Sequence, residues 1–308
     1  MTNAQSAITA RQLNSYSWWS RHQRKVIPYL FIAPLMLIFL VFVFFPIFYA
    51  AAMSFFEWNG IGTPEFVRFQ NYTNLVTDPI FWTAFKNTVI YSAGVVPVSM
   101  ALGLLAAIGL NRKDLPGRPI FRTIFFLPFV ISAVATATTA GWIFGDTFGV
   151  INKMLEAVGL EKVRWLSSRN TALLTVMIAT VWVRIGFCML IYLAGLQSIP
   201  NDLVEAASID GATPRQRFRH ITLPLLRPTT FLLLVLSIIF SFEVFDLGYV
   251  MTNGGPGYAT TVLTIYIYNA AFQSQQFGYA STIGLVFMAI IMSITLIQWR
   301  FSNDGGRI

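Results

Sequence analysis

The chain has 308 residues, 56% of them hydrophobic and only 11% charged, with a mean hydropathy of +0.63. A water-soluble globule carries about 25% charged residues, so most of this surface faces an apolar medium, and 28 Phe, 11 Tyr and 8 Trp exclude a solvated disordered coil. One cysteine, Cys188, excludes an intramolecular disulfide and a Cys-based metal site, and His22 and His220 leave little for any metal centre.

Crossing roughly 30 Å of hydrocarbon takes about 20 helical residues. Val26–Ala50 is a first charge-free span. Arg21, Arg24 and Lys25 precede it and Ala50-Ala51-Ala52 follow, as in a secretory signal. Its apolar run exceeds the roughly 7–15-residue core of such a signal, so it is read as an uncleaved helix. Asn87–Leu110, Thr123–Gly145, Thr171–Gln197 (interrupted by Arg184), Leu223–Leu247 and Gln276–Trp299 give five more. The predicted class is an all-α integral membrane protein with six transmembrane helices in a domain over residues 26–300. Short tails, 1–25 and 301–308, flank it.

The basic residues divide unevenly between the two sets of loops. One set holds fourteen: Arg11, Arg21, Arg24, Lys25, Arg112, Lys113, Arg118, Arg122, Arg215, Arg217, Arg219, Arg227, Arg300 and Arg307. The other holds six: Arg68, Lys86, Lys153, Lys162, Arg164 and Arg169. The positive-inside rule puts the first set, and both termini, in the cytoplasm. The net charge of +8 is then a topology signal and not a nucleic-acid surface.

Between the fourth and fifth spans lies the predicted cytoplasmic loop Ser198–Pro228. Asp202 and Glu205 have capping-box spacing, which predicts a helix starting at Asp202. Gly211 is a left-handed stop for it. Thr213 and Gln216 form a second capping box around Pro214 at the first helical position, and Pro224 is expected to end that unit. Two capped helices exceed what reversing the chain requires, so a docking element is expected, with a purely structural interfacial helix as the alternative.

Glu205-Ala206-Ala207, Asp210-Gly211-Ala212, Phe218, Ile221, Leu223-Pro224 and Pro228 resemble the EAA motif of the membrane subunits of bacterial ABC importers. Arg122-Thr123 with Leu127-Pro128 resembles the family's entry into a core helix. Phe245-Asp246, Thr252-Asn253-Gly254-Gly255-Pro256 and Phe277-Gly278-Tyr279-Ala280-Ser281 resemble segments of the sugar-transporting permeases of the MalF and UgpA type. Phe69-Gln70-Asn71-Tyr72 resembles an outer loop of that group, with Phe and Gln in place of the usual Gly and Leu. The resemblance implies a type I importer permease fold with core helices over about residues 80–300. Its coupling loop, 198–228, would dock on a cytoplasmic ATPase through Glu205, Ala206, Ala207, Asp210, Gly211, Ala212, Phe218, Leu223 and Pro224. It further implies a second homologous permease subunit, two ATPase subunits that bind the ATP and Mg, and an extracytoplasmic substrate-binding protein. The location would be the bacterial inner membrane. No cofactor and no catalysis are expected in this chain.

No Gly-x-x-x-x-Gly-Lys-Ser/Thr phosphate loop occurs, so ATP chemistry falls to another subunit. The outer loops are too short for a ligand-capturing domain. Ionisable residues within spans are costly and point to function. Arg184 falls near mid-depth of the fourth span; Glu243 and Asp246, three apart, are expected on one face of the fifth. These residues, with Trp182, Phe242 and Asn253, are the candidate substrate pathway. The alternative is that the charges pair structurally and the aromatics, Trp142 and Tyr249 included, pack or face lipid. Sugar uptake is the leading expectation. Glycerol phosphate or another polar solute is the alternative substrate, and a secondary carrier or a membrane enzyme the alternative class.

Overall fold

The computed structural model describes the backbone of residues 18–112 and 114–305 and the side chains of residues 25–112 and 114–300. The terminal tails fall largely outside these residues, as do the side chains of Arg11, Arg21, Arg24, Lys113, Arg307 and His22. The described residues are helical apart from loops and one two-stranded hairpin, β1 (Phe56–Glu57) and β2 (Glu65–Phe66).

The first span is α1 (Trp18–Phe39), a π-helical turn at Leu40–Phe44, and α2 (Phe45–Met53). Every side chain from Ile27 to Tyr49 is exposed, so this apolar rod needs lipid or another chain around it. The short α3 (Gln70–Thr77) leads into α4 (Pro79–Asn111), whose 33 residues exceed the roughly 20 that hydrocarbon requires. It starts well before the expected Asn87, because Asp78 caps it by accepting from the Ile80 N–H at 2.8 Å and Pro79 occupies the first position. Thr123–Gly145 was expected as one span. Instead α5 (Arg118–Val130) and α6 (Ala133–Ile143) meet at a 99° bend. Pro128 lies just before that break, and a proline ring disturbs the preceding turn of the ladder.

After α7 (Val150–Ala157), the fourth span, α8 (Ala172–Gln197), agrees with its expected bounds. It packs closely on α4 and α5. A Cβ at Gly186 would lie 2.0 Å from the Phe125 carbonyl oxygen, and one at Gly103 would lie 2.4 Å from the Cys188 Cβ. Cys188 is buried there as a small core residue. Buried hydroxyls tie the bundle together: Tyr91 donates to Thr180 at 2.7 Å, and Ser92 and Ser241 lie 2.7 Å apart.

The loop after α8 carries α9 (Asn201–Ile209), α10 (Pro214–Arg217), a π turn at Phe218–Thr222, and α11 (Leu223–Leu225). The fifth span is α12 (Arg227–Phe242), then a break, then α13 (Asp246–Thr252). It was expected as one helix to Leu247. The remainder is α14 (Leu263–Tyr268), a π turn at Asn269–Gln273, and α15 (Phe277–Gly305). Two π turns share one cause. Phe45 N–H bonds Leu40 O and Leu223 N–H bonds Phe218 O, each one residue before a proline. The widened turn lets the helix pass Pro46 or Pro224, which can donate nothing to an ordinary turn. Pro224 therefore does not end its unit, contrary to the sequence reading.

Candidate functional site

The two broken spans face one another. The α5–α6 bend, the middle of α8 and the break after α12 enclose a chamber of about 270 Å3. Arg184, Glu243 and Asp246 all line it. Glu243 and Asp246 do not share one face of a continuous helix, contrary to what their spacing predicts. Glu243 caps α12, Asp246 starts α13, and Val244 and Phe245 between them are not helical. The carbonyl of Val244, left without its helical partner, accepts the Thr264 hydroxyl. Non-helical backbone at membrane depth is tolerated where protein or a cavity, not lipid, surrounds it.

Arg184 is held by aromatic faces. Its guanidinium carbon lies 4.6 Å from the Phe240 ring centroid and 5.9 Å from that of Phe129. Phe187 completes the cluster at 5.1 Å from Phe129 and 5.8 Å from Phe240. Cation–π contact contributes about 0.5–2 kcal/mol, more as the site dries. It leaves the N–H edge free to donate. The chamber thus offers one fixed cationic donor, two carboxyl acceptors and an aromatic wall from Phe129, Phe240 and Phe245, a set suited to a polyhydroxylated ligand.

The other pathway candidates lie elsewhere. Trp182 is 47% exposed and Trp142 79%, and neither lines the chamber. Phe242 is buried and stacks on Phe287 at 6.4 Å. Asn253 is an exposed left-handed cap of α13 at φ +50°. Tyr249 stacks on Phe245 at 5.0 Å, beside the chamber. Composition signals aromatics in general, and only the tertiary contacts sort these from Phe129, Phe240 and Phe245. Phe129 and Phe240 were missed, and the clue available was their placement near Pro128 and Glu243.

The residues expected to form a coupling loop lie together on the unit of α9, α10 and α11. Helix α9 has no buried residue; Glu205 and Ala206 are exposed, and Ile209 is 87% exposed. It begins at Asn201 after Pro200, so the expected Asp202–Glu205 capping box does not form. Asp202 lies in the first turn, where a carboxylate meets the positive helix end. At the other end Gly211, at φ +81°, closes the helix: its N–H bonds Ser208 O at 3.1 Å and Ala212 N–H bonds Ala207 O at 2.9 Å. This is the paired Schellman pattern. Asp210 is the cap between them. Thr213 and Gln216 form the expected reciprocal box, and the Arg217 guanidinium donates to the Ser208 hydroxyl, bracing α10 on α9. Phe218 is half-buried, whereas Leu223 is exposed and Pro224 half-buried beyond it.

Residues 99–303 match the family described as "Binding-protein-dependent transport system inner membrane component". The probable ABC transporter permease YurN of Bacillus subtilis is 38% identical over 92% of this chain and 98% of its own length. The arabinooligosaccharides transport system permease AraP of the same organism is 36% identical over 92% of this chain and 90% of its own. A chain of the bacterial alginate ABC transporter, solved in complex with an alginate pentasaccharide-bound periplasmic protein, superposes with a TM-score of 0.83. It is 27% identical, covering 94% of this chain and 98% of that one. With two broken spans around a charged chamber, a projecting capped loop and these likenesses along nearly its full length, the chain belongs to the binding-protein-dependent transport system inner membrane component family, the non-catalytic permease subunits of ABC transporters.

Proposed function

We propose that this permease forms one half of the translocation pathway of an ATP-driven importer of sugars or sugar derivatives. The observation that carries this reading is the chamber where both span breaks converge on Arg184, Glu243 and Asp246. Hydroxyl groups accept from a guanidinium and donate to carboxyl groups, and the apolar C–H groups of a sugar pack against the aromatic wall of Phe129, Phe240 and Phe245. Two carboxyl groups against one guanidinium disfavour a phosphate ester such as glycerol phosphate. Arabinooligosaccharides and alginate, named for the relatives above, are sugars of the class proposed.

In this reading α9 docks on a cytoplasmic ATPase through Glu205, with Ala206 and Ala207 allowing close approach and Gly211 making the bend. Two ATPase subunits hold the ATP and Mg, a second homologous permease completes the pathway, and an extracytoplasmic binding protein delivers the ligand. Both termini lie in the cytoplasm. Isolation from the native membrane in gentle detergent is expected to recover an ATPase and a second six-helix subunit with this chain. Uptake assays with labelled oligosaccharides, monosaccharides and glycerol phosphate then assign the solute. Recovery of the chain without any ATPase would overturn the reading in favour of a secondary carrier.

A further inference from the structure

On another side of the bundle, at the end opposite the α9–α11 loop, a groove of about 690 Å3 runs between α4 and α8. Its rim carries two cations, Lys86 and Arg169, and its wall is apolar: Ile90 on α4, and Leu173, Leu174 and Met177 on α8. No acidic side chain lines it. Among the described residues the ion pairs are Arg112–Asp114 and Lys162–Glu156, so neither rim cation has a carboxylate partner. Arg169 does not swing free, because its guanidinium lies against Gly257, 3.1 Å from where a Cβ would stand. The Asn87 amide donates to the carbonyls of Tyr258 and Thr261 at 2.8 and 2.9 Å, which holds that loop over α4. The groove opens onto the exposed apolar faces of both helices, Val89 and Ile90 on one and Leu174 and Ile178 on the other.

Two cations without acidic partners at the edge of hydrocarbon, above an apolar wall, match an anionic amphiphile. Guanidinium and ammonium groups bind phosphate oxygens through charge-assisted hydrogen bonds, while a soluble anion has no use for the apolar wall. We infer that this groove binds one anionic diacyl phospholipid. Its phosphate diester lies between Lys86 and Arg169, and an acyl chain lies along Ile90, Leu173 and Met177. The inference does not depend on which solute the chamber carries.

The test is native mass spectrometry of the detergent-purified transport complex, titrated with phosphatidylglycerol or with phosphatidylcholine of matched acyl chains. One phosphatidylglycerol is expected to be retained in preference to phosphatidylcholine, and excess inorganic phosphate is expected not to displace it. The Lys86→Gln/Arg169→Gln variant is expected to bind it roughly 25-fold more weakly, about fivefold per cation. Lys86→Arg with Arg169→Lys keeps the charge and is expected to keep the lipid. Should the double glutamine variant fail to assemble, Lys86→Gln alone, on an exposed side chain, carries the fivefold loss. Equal retention of both lipids, unchanged affinity in the glutamine variants, or displacement by inorganic phosphate would each overturn the assignment.

Discussion

Asp78 accepts from the Ile80 N–H at 2.8 Å and from the hydroxyls of Tyr266 and Tyr279, joining the start of α4 to α14 and α15. Burial pushes its carboxyl up, but the two tyrosine hydroxyls and the N–H groups of Ile80 and Phe81 outweigh it and hold the pKa below the ordinary carboxylate value. A depressed folded-state pKa means this group stabilises the fold fully above its unfolded value of about 3.9. That contribution is lost as pH falls through the folded value. Asp78→Asn preserves a cap but weakens the charge-assisted bonds, whereas Asp78→Ala removes both. Thermal unfolding in detergent is expected to rank wild type above Asn above Ala, with Ala lower by about 2–3 kcal/mol. The ranking is expected to compress below about pH 4. In the sequence Asp78 counts only as a loop charge, although Asp-Pro is a cap followed by a first-position proline; its tyrosine partners lie 188 and 201 positions away. In the chamber, Arg184→Ala is expected to cut solute uptake at least tenfold while the complex still assembles. Unchanged uptake kinetics would assign Arg184 to the Phe129–Phe240 packing alone.

The membrane spans were readable because each needs about 20 predominantly apolar residues, and α8, with Arg184 its one charge, agrees with that reading nearly to the residue. The breaks were not readable. Nothing local marks Phe242 as the end of a helix; the Thr264 hydroxyl that satisfies the Val244 carbonyl in the break comes from a separate element. Glycine contacts are likewise a property of neighbouring helices. At Gly186 a methyl would meet the Phe125 and Phe126 backbone, which cannot rotate aside. Gly186→Ala is therefore expected to destabilise the α5–α8 contact by about 1–3 kcal/mol. Measured as detergent-resistant assembly, the same change at Gly109, which has nothing within 4 Å, is expected to be neutral. The capping chemistry of the α9–α10 unit, by contrast, was legible at Gly211, Thr213 and Gln216, since each bond there closes within five residues. Only the start at Asn201 and the passage through Pro224 differed, the first set by Pro200 and the second by a π turn.

Two surfaces of this chain are left uncovered. Helix α9 presents Glu205, Ala206 and Ile209 without burying any of them, and the first span is exposed along its whole apolar length. If α9 couples to an ATPase, Glu205→Lys is expected to leave insertion and assembly intact while separating ATP hydrolysis from uptake. Stimulated hydrolysis with uptake at wild-type level in that variant would remove the docking role. Composition and charge-free length were enough to establish a multi-span helical membrane protein, because hydrocarbon admits few charges and obliges the backbone to bond within its own helix. Local spacing was enough to mark the stop at Gly211 and the Thr213–Gln216 box of the α9–α10 unit. Which polar groups meet in the chamber was another matter: Phe129, Arg184 and Glu243 are more than fifty positions apart in turn, and their convergence rests on two breaks and a close helix contact. Such long-range packing is set by the fit of whole helices against one another, and no window of sequence contains it.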